Sequence, residues 1–307
     1  MSSEDPRGAA NRKELVEILA RRCTEEGTNE MAEGLNFYKH TVLTPPFHGV
    51  YSPSICIIAQ GAKEVQMGDD KFRYDPANYL LCSLDVPVVS QVVEASSTTP
   101  FLGLKMDLDP TLIASVSVEA GVSPGRSDNS VRSIAVGKLQ GDLLDAFVRL
   151  FRLLDNQDDY RVISPLVTRE IIYRLLISEQ GPRLRQMAVF GGNTHRITKA
   201  VQKLRTKFKE PLSIEELAHD MGMSVSSFHQ HFKTATSMSP LQFQKLLRLQ
   251  EARRLLLAED MDASSAAVRV GYDDASQFTR EYKRLFGDPP MRDVARFKQL
   301  SSAASKA

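Results

Sequence analysis

Apolar positions change their period along the chain, and each change marks a boundary. Met1 to Asn11 are polar and expected to fray, whereas Glu14-Leu-Val-Glu-Ile-Leu-Ala-Arg21 has the three-and-four spacing of a short helix. From about Phe37 the spacing shortens toward two. Six β-rich runs follow: Ser54-Ile-Cys-Ile-Ile-Ala-Gln60, Glu64-Val-Gln-Met67, Phe72-Arg-Tyr74, Tyr79-Leu-Leu-Cys82, Val88-Val-Ser-Gln-Val-Val93 and Phe101-Leu-Gly-Leu-Lys-Met106. Gln60-Gly61, Gly68-Asp-Asp70, Asp75-Pro76, Val86-Pro87 and Asp109-Pro110 separate or open them, and their turn chemistry predicts a small antiparallel barrel or sandwich. After a polar stretch at 121–129 the period becomes helical. Leu139, Leu143, Phe147, Leu150, Phe151 and Leu154 share one stripe, and Leu166, Ile172, Leu175 and Leu176 share a second. Gly181-Pro182 and Gly191-Gly192 then place an interdomain linker at 181–193.

The C-terminal third repeats one pattern. Thr194 can cap a helix bearing Ile197, Ala200, Val201, Leu204 and Phe208, ended by Pro211. Ser213 to Lys233 and Ala263 to Lys283 then each place an alanine four residues before a glycine, Ala218 with Gly222 and Ala267 with Gly271. A small residue permits close helix packing and the glycine a sharp turn. Each copy continues with aromatics at i and i+4, Phe228 with Phe232 and Phe278 with Tyr282, so one stripe is buried and the opposite face left open. That is a helix-turn-helix written twice. Between the copies, Leu246, Leu249, Ala252, Leu255 and Leu256 form an apolar stripe while Lys245, Arg248, Arg253 and Arg254 are expected to stay wet. A helix of about 16 residues at roughly 1.5 Å each would hold the copies roughly 25 to 35 Å apart, close to one turn of DNA at about 34 Å.

Helical geometry then selects the reading side chains. With Val225, Phe228 and Phe232 taken as the buried stripe, Ser226, Gln230 and Lys233 turn outward, flanked by Ser227 and His229. On the second helix Ser276, Gln277, Arg280, Lys283 and Arg284 face out. Arg280 suits bidentate contact with guanine, Gln230 and Gln277 suit adenine, and Lys283 and Arg284 suit phosphates.

Overall charge is near balance, but its distribution is not. Residues 192–300 carry about 18 Lys and Arg against about 13 Asp and Glu, whereas 1–191 carry about 20 against about 25. The excess positive charge lies where the doubled motif lies. A chain of 307 residues has room for two cores. Nothing at the N-terminus reads as a basic start before an apolar run, and no stretch approaches roughly 18 uninterrupted apolar residues, so a cytoplasmic protein without membrane contact is expected.

The segment from about Thr194 to Phe297 resembles the DNA-binding domain of the AraC family of bacterial transcription regulators. The match rests on the two Ala-to-Gly turns, on Arg248-Leu-Gln-Glu-Ala-Arg-Arg-Leu-Leu256, and on the long run Gly271-Tyr-Asp-Asp-Ala-Ser-Gln-Phe-Thr-Arg-Glu-Tyr-Lys-Arg-Leu-Phe-Gly287. Pro289-Pro-Met-Arg-Asp293 departs from the family's commoner ending, an aromatic followed by arginine. Pro53-Ser-Ile-Cys-Ile-Ile-Ala-Gln-Gly-Ala-Lys63 looks like the cupin-type arm of one branch of the family. The resemblance implies an α+β chain with four parts. A cupin-like effector or dimerisation domain covers 1–180, the linker 181–193, a double helix-turn-helix domain 194–300, and a disordered tail 301–307. It also implies double-stranded promoter DNA and RNA polymerase as partners, with transcription activated under control of a small effector. A homodimer is expected, with the helices near 139–154 and 166–176 as its interface or as intradomain core.

Enzymatic equipment is not visible. A catalytic metal wants about three protein ligands, and the arm offers only His40 and His48, so no metal and no cofactor are expected. G-x-S-x-G, G-x-x-x-x-G-K-S and H-E-x-x-H are all missing. Cys23, Cys56 and Cys82 are too dispersed for a disulfide framework. Cys56 and Cys82 remain candidates for sensing an electrophilic effector, against the plainer reading of small buried apolar residues. Two rival functions stay open: an enzyme or methyl-scavenging repair protein with an accessory DNA module, and a ligand-free regulator whose barrel only dimerises.

Overall fold

The computed structural model describes residues 6–122, 132–139, 141–188, 192–259 and 261–304. The chain divides into two units, Met1–Thr198 with Thr234–Ser237, and Lys199–Lys233 with Met238–Ala307.

The first unit opens with helix α1 (Pro6–Arg22), which starts earlier than expected: residues 6–11 are helical, and Asn11 is buried. Strands follow as β1 (Gly27–Ala32), β2 (Leu35–His40), β3 (Phe47–Tyr51), β4 (Ser54–Gln60), β5 (Ala62–Met67), β6 (Asp70–Tyr74), β7 (Asn78–Cys82), β8 (Val86–Glu94) and β9 (Phe101–Asp107). Helix α2 (Pro110–Glu119), capped by the Asp109 carboxylate accepting from the Thr111 amide, leads toward strand β10 (Ile134–Lys138). The polar stretch expected at 121–129 lies outside the described residues from 123 onward. Helices α3 (Gly141–Arg152), α4 (Gln157–Leu176) and α5 (Gly181–Ala188) complete the unit before α6 (Gly192–Lys207), along which the unit boundary falls.

The strands are antiparallel, as expected, but they form two sheets and do not close into a barrel. One sheet runs β1-β2-β9-β4-β7-β10 and the other β3-β8-β5-β6. The corner between them is Gly61, at φ +86°, where a Cβ would run into the carbonyl of Glu94. Only glycine turns the chain so sharply from β4 into β5 on the other sheet.

Strand β4 is buried along nearly its whole length because both its faces are covered. Ile55, Ile57 and Ala59 join Leu102, Leu104 and Met106 of β9 in a core shared with Leu15 and Leu19 of α1 and Phe147 and Phe151 of α3. Phe37 meets Phe151 edge to face, with ring centroids 5.3 Å apart. The stripe on α3 is therefore intradomain core. So is the stripe Val167, Ile171, Ile172, Leu175 and Leu176 on α4, whereas Leu166 is exposed. Helix α4 continues through Pro165 and presents Val162, Leu166 and Tyr173 on its open side.

Most of the stretch expected as a linker is ordered helix: 181–188 form α5, with Leu184 buried, and 192–193 open α6. Gly181-Pro182 opens this helix where proline costs no internal hydrogen bond. Residues 189–191 lie outside the described residues.

The second unit is all-helical: α7 (Ile214–Asp220), α8 (Val225–Thr236), α9 (Pro240–Ala258), α10 (Ala263–Arg269), α11 (Ala275–Phe286) and α12 (Pro290–Ala304). A capping box fixes the start of α9, the Ser239 hydroxyl accepting from the Gln242 amide while the Gln242 side chain accepts from the Ser239 amide. Leu249, Ala252, Leu255 and Leu256 of α9 pack with Ala266, Ala267, Phe278, Tyr282 and Phe286. Helix α12 runs to Ala304, past residue 300 where the domain was expected to end.

Candidate nucleic-acid interface

Each helix-turn-helix is built from a capped helix, a glycine turn and an aromatic-faced helix. In the first copy the Ser213 hydroxyl accepts from the Glu216 amide, and Glu215 and Glu216 in the first turn complement the helix dipole. Gly222 turns at φ +61°, and the Met223 amide returns to the Ala218 carbonyl at 2.9 Å. In the second copy the Asp262 carboxylate accepts from the Ser265 amide at 2.7 Å, Gly271 turns at φ +92°, and the Tyr272 amide returns to the Ala267 carbonyl at 2.9 Å. The two turns repeat each other bond for bond. The Asp274 carboxylate then caps α11 through the Ser276 amide at 2.7 Å.

The two glycines differ in their surroundings. A Cβ at Gly222 would meet nothing within 4 Å, whereas one at Gly271 would strike the Lys209 backbone, with Cα at 3.0 Å. Gly222→Ala should therefore cost about 1–2 kcal/mol, the strain of left-handed backbone alone. Gly271→Ala should cost clearly more, because backbone must also move. Urea denaturation of the two variants checks the order, and equal losses would contradict the close approach.

Phe228, Phe232, Phe278 and Tyr282 are fully buried, with ring centroids 5.6 Å apart in the first pair and 5.5 Å in the second. Val225 does not extend the first stripe. It is 39% exposed, since it opens the helix beside the turn and has no preceding turn to pack on. Opposite the aromatics, Ser226, Gln230 and Lys233 are exposed on α8, and His229 is partly covered with its ring against Phe228. Ser276, Gln277, Arg280, Lys283 and Arg284 are all exposed on α11. Gln277 reaches Glu281 at 3.4 Å.

Charge pairing separates these side chains from several other basic residues of the unit. Lys233, Arg280, Lys283 and Arg284 form no ion pair with a carboxylate among the described residues, although Arg280 lies close enough to Asp274 to help lower its pKa. Elsewhere in the unit Lys245 pairs with Glu281 at 2.8 Å, Arg254 with Glu251 at 2.8 Å, and Arg269 with Glu259. Two residues expected to stay wet on α9 are structural. The Arg248 guanidinium donates to the carbonyls of Phe208, Lys209 and Glu210, and Arg253 pairs with the fully buried Asp293. Sequence reading missed Asp293, although an acid three residues after Pro290, in the first turn of a helix, was the available signal.

Cys23, Cys56 and Cys82 are all buried and unpaired. Burial pushes the Cys23 thiol up to about 11. It also raises those of Cys56, against the pull of Lys63 and Lys105, and of Cys82, whose Sγ donates to the Leu84 carbonyl at 3.1 Å. Protonated, enclosed thiols are poor nucleophiles. Among the described residues no three His, Cys, Asp or Glu side chains gather as a metal site, and no helix is long and apolar enough to cross a membrane.

Residues 31–183 match the AraC-type transcriptional regulator N-terminus, and residues 217–296 match a helix-turn-helix domain family. The chain is 25% identical to the thermoregulatory protein LcrF of Yersinia pestis over 167 residues, 54% of this chain and 61% of that one. It is 24% identical to the virulence regulon transcriptional activator VirF of Yersinia enterocolitica over 238 residues, 76% of this chain and 86% of that one. The fold resembles that of ToxT from Vibrio cholerae, solved with an unsaturated fatty acid bound, at a TM-score of 0.51 and 9% identity, covering 85% of this chain and 94% of that chain. The paired turns, their aromatic-backed helices and the two adjoining family matches together place this chain in the AraC family of transcriptional regulators.

Proposed function

We propose that the chain is a sequence-specific transcriptional regulator that grips promoter DNA with α8 and α11 and answers to a small effector bound in its first unit. The observation that carries the reading is the unpaired cationic face on two copies of one motif, set on either side of a 19-residue helix. At roughly 1.5 Å per residue that helix is about 28 Å long, which suits two reading helices in successive major grooves about 34 Å apart. Arg280 is the reader of guanine, with Gln230 and Gln277 facing adenine, and His229, Ser226 and Ser276 close by. Lys233, Lys283 and Arg284 hold phosphates. The activator named among the relatives favours activation through RNA polymerase, and the open face of α4 favours a homodimer. An effector acts here by binding one arrangement of the protein more tightly than another.

Selection from a random-sequence duplex library, followed by footprinting on the enriched site, tests this reading. Two protected major grooves per protomer are expected, and no enrichment would refute it. On that site Arg280→Ala should cost about 1–3 kcal/mol and relax preference at one base pair. Unchanged preference would remove Arg280 as a reader.

A further inference from the structure

The two sheets of the first unit face one another across an interior that is not wholly apolar. Register fixes which side chains look inward. On β5 and β6 Lys63 stands opposite Tyr74, and on β5 and β8 it stands opposite Val92. On the other sheet Tyr38 stands opposite Gly103 and Cys56 opposite Lys105. Directly paired residues share a sheet face. Lys63 reaches across from one sheet to the other, its Nζ 5.7 Å from the ring centroid of Tyr38 on β2 and 5.7 Å from that of Tyr51 on β3.

Two lysines therefore face this interior, and only one is neutralised. Lys105 pairs with Asp107, two residues along its own strand. Lys63 has no carboxylate partner among the described residues. Its neighbours are phenol rings and the Cys56 thiol. Ring faces favour a cation by about 0.5–2 kcal/mol, but they leave its charge uncancelled. Burial pulls the Lys63 pKa down, yet its interactions with Tyr51, a hydrogen bond among them, help to hold the ammonium above its ordinary range. The facing phenols stay protonated, since burial raises both Tyr38 and Tyr74.

The surroundings also point to an opening. Tyr74, Val65, Val88 and Val92 on the inward face are fully covered, yet Lys63, Tyr38 and Tyr51 each keep partial exposure. A charged donor and two aromatic faces are thus reachable from solvent at the rim of an apolar interior. Small-molecule sites in proteins bury a ligand's apolar body and fix its orientation with a few polar groups, the combination of residue types found here.

We propose that the space around Lys63 between the two sheets binds a small organic carboxylate. Its charged end is held by the Lys63 ammonium and the Tyr51 hydroxyl, and its apolar body lies against the rings of Tyr38 and Tyr51. The proposal rests on the reading of the first unit as an effector domain and specifies the chemistry of that effector. An anion fits because it supplies the counter-charge Lys63 lacks. Neutral amides of the same shape do not.

Thermal unfolding of the full chain with benzoate or hexanoate, against benzamide or hexanamide, provides the test. The acids should raise the melting temperature with concentration, as binding to the folded state requires, and the amides should not. Lys63→Met should abolish the shift and Lys63→Arg retain part of it, while Tyr51→Phe should weaken binding about tenfold, the loss of one hydrogen bond to a charged group. Equal shifts from acid and amide, no shift from either acid, or a Lys63→Met protein that still answers the acids would overturn the proposal. Should Lys63→Met fail to fold, the acid-to-amide difference in the unaltered protein and the Tyr51→Phe titration still decide it. DNA selection on the unaltered protein is scored separately. Enriched sites without carboxylate binding would sink only the pocket, and carboxylate binding without enriched sites would sink only the regulator.

Discussion

Asp293→Ala should lose about 3–5 kcal/mol of stability in the second unit, the usual loss when one partner of a buried ion pair is removed. The carboxylate is fully buried and accepts from the Arg253 guanidinium at 2.7 and 3.0 Å, from the Tyr282 hydroxyl at 2.9 Å and from Arg296 at 2.9 Å. Those donors come from α9, α11 and α12, so a single side chain ties three helices. Alanine would leave Arg253, whose side chain is only 15% exposed, as an uncompensated charge, and would orphan the Tyr282 hydroxyl. Asp293→Asn keeps the shape and one acceptor without the charge, and should fall between. Asp288→Ala is the control. Its 3.2 Å contact with Arg296 is half-exposed and should matter by less than about 1 kcal/mol. Urea titration followed by helical circular dichroism measures all three. A loss below about 1 kcal/mol for Asp293→Ala would show that the pair does not hold the unit together.

The same residue shows where sequence reading stops. The doubled motif was legible because its signals are local. Glycine at positive φ and aromatics at i and i+4 each need only a few neighbouring residues to be recognised, and both recur at Gly222 and Gly271. Asp293 was visible only as a departure from a familiar ending, because its three donors lie 11 to 40 residues back or three ahead. The β-rich half splits in the same way. Strand β4 announces itself as an unbroken apolar run, but β1 (Gly-Thr-Asn-Glu-Met-Ala) is largely polar and joins the sheet through its pairing with β2, with only Met31 and Ala32 of its side chains packed against the core. The choice between barrel and sandwich stayed open in the sequence for a related reason. Periodicity identifies strands, whereas closure depends on which edges meet, and β6 and β10 end on different sheets. Lys63 fell outside the run read as Glu64 to Met67, and its importance comes from rings on β2 and β3 that no spacing rule connects to it.

Replacing Lys233, Lys283 and Arg284 together by glutamine should flatten the salt dependence of DNA binding by about 2.7 in the slope of log K against log salt, about 0.9 for each phosphate that is no longer neutralised. At about 0.1 M salt this corresponds to binding weaker by roughly 500-fold, since the counterion release that favours association disappears with the charges. The magnitude follows from their lack of partners. A lysine already neutralised by a carboxylate releases little on meeting a phosphate, so Lys245→Gln, which breaks a 2.8 Å pair with Glu281, should leave the slope almost unchanged. Sequence preference separates base reading from phosphate holding. The triple variant should rank duplexes in the same order as the unaltered protein while binding all of them weakly, whereas Arg280→Ala should reorder them at one position. Fluorescence anisotropy titrations on the selected site and on scrambled duplexes, from about 50 to 200 mM salt, resolve both effects. If the slope survived the triple substitution, the unpaired face of α8 and α11 would not be the surface that meets the phosphates. The charges responsible would then have to be sought among the unit's other basic residues, Lys199 and Arg292 on exposed positions first.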